Sequence, residues 1–432
     1  MGESKKLIRS NSLPVYKTKA IRFAGLACVF LLFLHCSNRD RSNPLDPNNP
    51  ETRGRPTGLQ IVSDRHIVTL SWDNIDLSGM SGYRIYRRTK ENPLFENIGT
   101  AESNESTFIE NIPYDQETVY KISAQTSSRY ESPLSDSVSV TAGPCNYWIV
   151  DYYQGSVVHL TYDCLHQFTR FDYFIYPVAI TADSTTRSAY FLEEVFGYIW
   201  KTSPDGTIAL WQHGLIHPTD IEFDNERRIL WVCNNYGREI VRFDMDKNDL
   251  GTTTGFGEIT NICLSENDGG CWVVDAKNES VIHLSLYGLE NVRIDNRFDH
   301  PVEIDCYQAE GSIWIADSLK LVKANSNGET QKTIDTGRSI VSLSIDQSTG
   351  DCWAALASED QKTHEIWKID PSGETLVTIQ GFIYITAVAA NPSSRGCLVA
   401  DAGSGSLIRI SDQGEILGKN FSFYTPWDIA IE

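Results

Sequence analysis

Three carboxylates and an amide recur at one position of a pattern that repeats through the last two-thirds of this 432-residue chain. Aligning segments such as Pro177-Val178-Ala179-Ile180 and Pro426-Trp427-Asp428-Ile429 makes Ala179, Asp220, Asn261, Glu303, Ser342, Ala387 and Asp428 equivalent. If these segments surround one axis, Asp220, Asn261, Glu303 and Asp428 converge near the mouth of a channel. Carboxylate, amide and water oxygens suit a hard cation such as Ca²⁺ or Mg²⁺. A hydrated polar channel without an ion is the plainer alternative, because carboxylates also gather for structural reasons. Two repeats add an imidazole three residues earlier, in His217-Pro218-Thr219-Asp220 and His300-Pro301-Val302-Glu303. Beside a divalent ion, His217, His300 and Glu303 are the residue types for acid–base elimination or hydrolysis. No nucleophile motif accompanies them, so the expected catalytic set is none, with these three as the alternative.

Aromatic residues fall on the same side of the pattern. Tyr152, Tyr153 and Tyr236 follow the strands that open the repeats, and Tyr176, Tyr384, Tyr424 and Trp427 lie where the inner segments begin. Exposed Tyr and Trp offer large contact area at low entropic cost and typify surfaces that hold sugars or peptides. Tyr152, Tyr153, Tyr236, Tyr384 and Trp427 are the expected ligand-binding set. An aromatic and acidic rim without a catalytic motif favours recognition over turnover.

The elements that must position these residues are short strands. Each repeat opens on Trp148, Tyr190, Trp231, Trp272, Trp314, Trp353 or Leu398, a period near 40 residues. Three positions on stands an acid or amide, Asp151, Glu193, Asn234, Asp275, Asp317 or Asp401, with Leu356 the exception. Hairpin turns such as Ser203-Pro204-Asp205-Gly206 follow, where Gly supplies the positive φ. Four short β runs per repeat predict a propeller blade, a twisted sheet that must stack on its neighbours. Residues 145–432 resemble the NHL class of propellers, which implies seven blades. The phase of the repeats predicts that the last strand, near Trp427–Ile431, joins the first three in a composite blade and removes an exposed edge. The acidic ring is similar to the metal site of gluconolactonase-type propellers. The His and Glu are residue types that streptogramin-lyase propellers use.

Residues 57–143 alternate β runs and turns at sandwich spacing. In His66–Trp72 the alternation puts Val68, Leu70 and Trp72 on the core side. Leu70-Ser71-Trp72, Gly82-Tyr83-Arg84-Ile85-Tyr86-Arg87, Tyr120-Lys121-Ile122-Ser123-Ala124 and Ser132-Pro133-Leu134-Ser135 together resemble a fibronectin type III module. The resemblance implies a spacer or adhesive role and places Tyr120 like the tyrosine that closes the corner of such sandwiches. The fold class expected for the whole chain is all-β.

Residues 1–35 read as an export signal, with six Lys and Arg residues ahead of or flanking an apolar run from Ala24 to Leu34. That run is too short to span a bilayer, which needs about 20 apolar residues. Cys36 with the polar stretch after it resembles the bacterial lipobox, implying acylation of its thiol and a membrane-anchored protein of the cell envelope. Residues 36–56, rich in Pro and Asn, predict an extended tether. The formal charge of −20 becomes more negative once the signal leaves, and it disfavours nucleic acid as a partner. The expected partners are the membrane, through the lipid, and a glycan, peptide or protein. Export permits disulfides among the eight cysteines beyond Cys36, but their spacing shows neither a pairing nor a metal finger.

Overall fold

In a computed structural model, residues 42–358 and 362–432 are described, and they contain strands and turns but no helix. Among them no helix is long and apolar enough to cross a membrane. The signal segment and Cys36 lie outside the described residues.

Two sheets come first. One has three strands, Gln60–Asp64, Ile67–Ser71 and Thr107–Asn111; the other has four, in the order Glu96–Glu102, Met80–Thr89, Glu117–Thr126, Val138–Thr141. Period-2 alternation decides which side chains meet between them. Val68, Leu70 and Trp72 are buried in a core shared with Tyr83, Ile85 and Ile122, while Ile67 is exposed. The Tyr120 hydroxyl donates to the Glu110 carboxylate.

Within the described part, residues 42–56, the segment expected as an extended tether is a run of tight turns. Asn43, Asp46 and Asn49 accept backbone N–H groups with their side-chain oxygens, and Thr52 Oγ1 donates 2.5 Å to the carbonyl of Pro44. Asx turns of this kind replace extended chain wherever the side chain reaches the backbone two residues on. Leu45, a single apolar residue among polar ones, is buried against the sandwich core.

From Tyr147 onward seven four-stranded antiparallel sheets follow one another. Six run in chain order from inner to outer strand. The seventh is composite: Pro426–Ile431 pairs with Tyr147–Asp151, Ile429 opposite Ile149. The inner strands, beginning at Pro177, Asp220, Ile259, Pro301, Ile340, Ile385 and Pro426, adjoin one another around a closed ring. This is a β-propeller-like architecture whose ring is closed by pairing of the last strand with the first.

The opening aromatic of each repeat has a basic partner across the sheet. Trp148 stands opposite His159, Tyr190 opposite Lys201, Trp231 opposite Arg242, Trp272 opposite His283, Trp314 opposite Lys323, Trp353 opposite Lys368, and Leu398 opposite Arg409. Lys and Arg lie 5.2–5.6 Å from the ring centroids in the four Lys and Arg pairs that include Tyr190, Trp231, Trp314 and Trp353. Each pair contributes about 0.5–2 kcal/mol and covers an indole face with an aliphatic stem. The partner stands 11 residues on in five of the seven repeats, 9 on after Trp314 and 15 on after Trp353, so the pairing has a signature in the sequence beside the tryptophans.

Among the described residues one disulfide, Cys263–Cys306, joins the inner strands of adjacent sheets, whereas Cys145, Cys164, Cys233, Cys271, Cys352 and Cys397 are free and buried. The sandwich meets the ring at the end where inner strands finish. Arg187 holds Asp64 of the sandwich with two N–H···O bonds of 2.6 and 2.9 Å and also donates to Glu432, just past the last inner strand. Tyr162 Oη donates 2.8 Å to Asp115, and the backbone N–H of Thr141 donates 3.0 Å to Asp163. Gly143 lies so close under the Tyr162 ring that a Cβ there would fall 2.0 Å from it.

Candidate binding face

The inner strands bring the predicted ring to one level. Ala179, Asp220, Asn261, Glu303, Ser342, Ala387 and Asp428 pair respectively with Leu192, Cys233, Val274, Ala316, Ala355, Ala400 and Val150, each two residues beyond the opening aromatic or Leu398 of its sheet. Their polar atoms are occupied. An inner strand has no further strand beside it, so its inward N–H groups need other acceptors. Asp428 accepts from Ile180 N at 2.9 Å, Thr181 from Phe223 N at 3.2 Å, Asp220 from Ile262 N at 3.0 Å, and Asn261 from Ile304 N at 2.9 Å. Asp305 accepts from Ile345 N at 2.7 Å, and Ser342 from Val388 N at 3.1 Å. At the last junction Thr386 Oγ1 donates 2.7 Å to the carbonyl of Pro426. Every neighbouring pair of inner strands is thus fastened by a polar side chain.

Glu303 differs, accepting from Ser342 Oγ at 3.3 Å. Burial pushes the Asp220 carboxyl up to about 7, with Asp428 adding to the shift, and lifts Asp428 and Asp305 to about 6. Glu303 and Glu222 are also raised, mainly by burial and then by neighbouring acids. Among the described residues no group of three or more His, Cys, Asp and Glu side chains is arranged to hold a metal ion. The four residues expected as metal ligands share the channel, but three of them spend carboxylate or amide oxygens on backbone N–H groups.

One residue further on, at the last position of the second strands, the acids or amide three residues beyond the aromatics hold the loops that enter the inner strands. Asp151 accepts from Tyr424 N and Thr425 N at 2.7 Å, Glu193 from Ile175 N at 2.8 Å, Asn234 from Ile216 N at 2.7 Å, and Asp401 from Tyr384 N at 2.8 Å. Asp275 and Asp317 do the same for Gly257, Glu258, Asp299 and His300. These clamps fix the loops whose side chains form the rim.

Along that rim a chain of contacts crosses three consecutive sheets. Trp427 lies 5.0 Å from Tyr152 between ring centroids, and Tyr152 stacks on Tyr176 at 4.8 Å with Tyr153 edge-on at 4.8 Å. The Tyr152 hydroxyl is 3.4 Å from Glu194, and burial followed by the Glu194 charge pushes its phenol up. Glu194 in turn lies 3.5 Å from His217 Nδ1, and His217 stacks on Tyr236 at 4.3 Å. Tyr176, His217 and Tyr236 adopt positive φ of 54°, 41° and 57°. Each such conformation costs about 1–3 kcal/mol in a non-Gly residue and persists only where surrounding bonds enforce it. Here Tyr236 N donates 3.2 Å to the carbonyl of His217.

The expected ligand set is therefore gathered on one face. Tyr152, Tyr153 and Trp427 form the aromatic stack, Tyr236 joins through Glu194 and His217, and Tyr384 stands across a cleft of about 720 Å³ from Tyr153 and Trp427. The expected catalytic alternative is not gathered. His217 lies 3.5 Å from Glu194 of the neighbouring sheet and makes no hydrogen bond or ion pair with its own Asp220 among the described residues. The exposed His300 makes no hydrogen bond or ion pair with Glu303 among the described residues. Sequence reading missed Glu194. The usable signal was a second acid directly after Glu193, where the repeat needs only one.

No family model matches the chain, and no curated protein does. Solved structures do. A functionally unknown protein from Desulfotomaculum acetoxidans aligns with 67% of this chain and 99% of its own at 10% identity and a TM-score of 0.58. A Bacteroides uniformis protein provisionally assigned as a 6-phosphogluconolactonase aligns over 67% and 99% at 11% identity, TM-score 0.55. Streptogramin B lyase aligns over 59% of this chain and 86% of its own at 14% identity, TM-score 0.50. What they share with this chain is the propeller-like fold.

Proposed function

We propose that this chain is a cell-envelope lipoprotein, anchored through Cys36, whose fibronectin type III-like sandwich (57–143) carries a seven-bladed NHL-like propeller (145–432) that recognises a ligand without turning it over. The observation that carries the reading is the aromatic stack of Trp427, Tyr152, Tyr153 and Tyr176, in which Tyr153 and Tyr176 are exposed and Tyr152 and Trp427 half-buried. Strained backbone and clamped loops hold it in place, with Trp427 packed against the core of the composite sheet and Tyr153 exposed beyond it. Preorganised aromatics of this kind concentrate binding energy in a few residues. The disulfide between sheets supports an oxidising compartment. The test is binding to envelope glycans and peptides by the purified full chain. Tyr153→Ala and Trp427→Ala should each weaken binding at least about tenfold, with the Tyr153 variant keeping its melting temperature. A fatty-acid analogue should label the wild type and spare Cys36→Ser.

One contact favours a second reading. Glu194 and His217, 3.5 Å apart, are the residue types for acid–base chemistry of the kind a lactonase or lyase uses. Turnover of a lactone or cyclic ester that is lost in Glu194→Gln and His217→Ala would establish it.

A further inference from the structure

The cleft between Trp427 and Tyr384 has a lining of unusual chemistry for so acidic a protein. Tyr153, Tyr384, Tyr424 and Trp427 supply its aromatic surface, Ser404 and Thr425 its hydroxyls, and no Asp, Glu, Lys, Arg or His contributes. The chain has 22% charged residues and a formal charge of −20, so a charge-free concavity of about 720 Å³ is a local departure from its composition. Its size falls within the roughly 300–1,000 Å³ of small-ligand sites. Tyr153, Tyr384 and Tyr424 are 63%, 53% and 66% exposed, so their rings and hydroxyls are open to an incoming molecule.

The lining discriminates among ligand classes. A charged ligand would leave water for a site that offers no countercharge, which is costly. A purely apolar ligand would strip water from three phenol hydroxyls and the loop backbone without replacing their hydrogen bonds. An uncharged polyhydroxylated ring avoids both costs, because its C–H faces stack on aromatic rings while its hydroxyls bond to phenols and backbone. We infer that this cleft binds an uncharged glycan, with sugar rings stacked on Trp427 and Tyr153 and held from the other side by Tyr384 and Tyr424. The inference rests on the reading of this face as a recognition surface and names its ligand class.

The experiment is calorimetric titration of the full chain with maltohexaose, cellohexaose and tetra-N-acetylchitotetraose, with hexalysine and oligogalacturonate as charged controls. One neutral oligosaccharide should bind, and Tyr424→Ala and Tyr384→Ala should weaken it at least about tenfold, whereas Tyr287→Ala, at an exposed tyrosine outside the cleft, leaves it unchanged. Tyr424→Phe, which keeps the ring and removes only the hydroxyl, should retain part of the affinity. Binding of hexalysine or oligogalacturonate that depends on Trp427 or Tyr424 would overturn the glycan inference while leaving the recognition reading in place. Silence of every probe at about 10 mM, with each variant folded, would overturn the inference and count against the recognition surface as well.

Discussion

The channel and the rim are built from overlapping residue types and do different work. In the channel, Asp220, Asn261, Asp305, Ser342 and Asp428 accept N–H groups of the next inner strand. On the rim, the clamps Asp151, Glu193 and Asp401 serve the backbone, so Tyr153, Tyr384 and Tyr424 are left free to meet solvent. A convergent ring of carboxylates is therefore not enough to mark a site. What separates fastening from recognition is whether a polar group's bonds are already made inside the fold.

The strongest way to break this contrast is to remove a channel fastener. Asp220→Ala should cost about 1–3 kcal/mol in chemical denaturation, because the Ile262 N–H loses its acceptor in a buried setting. Asp220→Asn keeps an acceptor oxygen and should cost far less. Neither should alter ligand binding at the rim, and an Asp220→Asn variant that folds normally but no longer binds would show that the channel belongs to the site.

A smaller effect sharpens the electrostatics. Asp220, Asp428 and Asp305 titrate near 7, 6 and 6 in the fold, above the usual carboxylate range near 4. Between those values the folded state holds protons that the unfolded chain has released, so stability falls as pH rises from about 4 to about 7. The melting temperature should drop by about 2–4 °C between pH 5 and pH 7.5. In Asp220→Asn with Glu303→Gln that slope should flatten.

The smallest expected effect concerns ions. With the oxygens of Asp220, Asn261 and Asp428 engaged by backbone N–H groups, millimolar Ca²⁺ or Mg²⁺ should move the melting temperature by less than about 1 °C. A rise of several degrees that disappears in Glu303→Gln would restore the channel as a cation site.

Much of this organisation was legible from Trp148, Trp231, Trp272, Trp314 and Trp353. Their spacing set the sheets, and the phase of the repeat foretold the pairing of the last strand with the first. The level of Asp220 and its counterparts followed, because in-register strands carry equivalent residues to equivalent heights. Their partners were not legible, since the N–H groups they bind belong to strands some 40 residues away and carry no side-chain signature. The placement of His217 was hidden for another reason. A positive φ is uncommon in any residue other than glycine, and no local pattern marked His217 for it. Leu45 escaped too, because one apolar residue in a polar run gives no periodicity, yet it is buried in the sandwich core.

The closing strand Pro426–Ile431 has three neighbours along its length. Trp427 belongs to the rim, Asp428 fastens the channel, and Glu432 just beyond it meets Arg187 and the buried His159, whose Nε2 lies 2.8 Å from it. This strand is the latch of the ring, and its outward end carries Trp427 of the proposed ligand face. An occupied rim should therefore hold the latch shut and slow the rate at which the ring springs open. The protein would then be most durable when bound, and an idle copy would be the first to unravel, starting from the strand that joins its two ends.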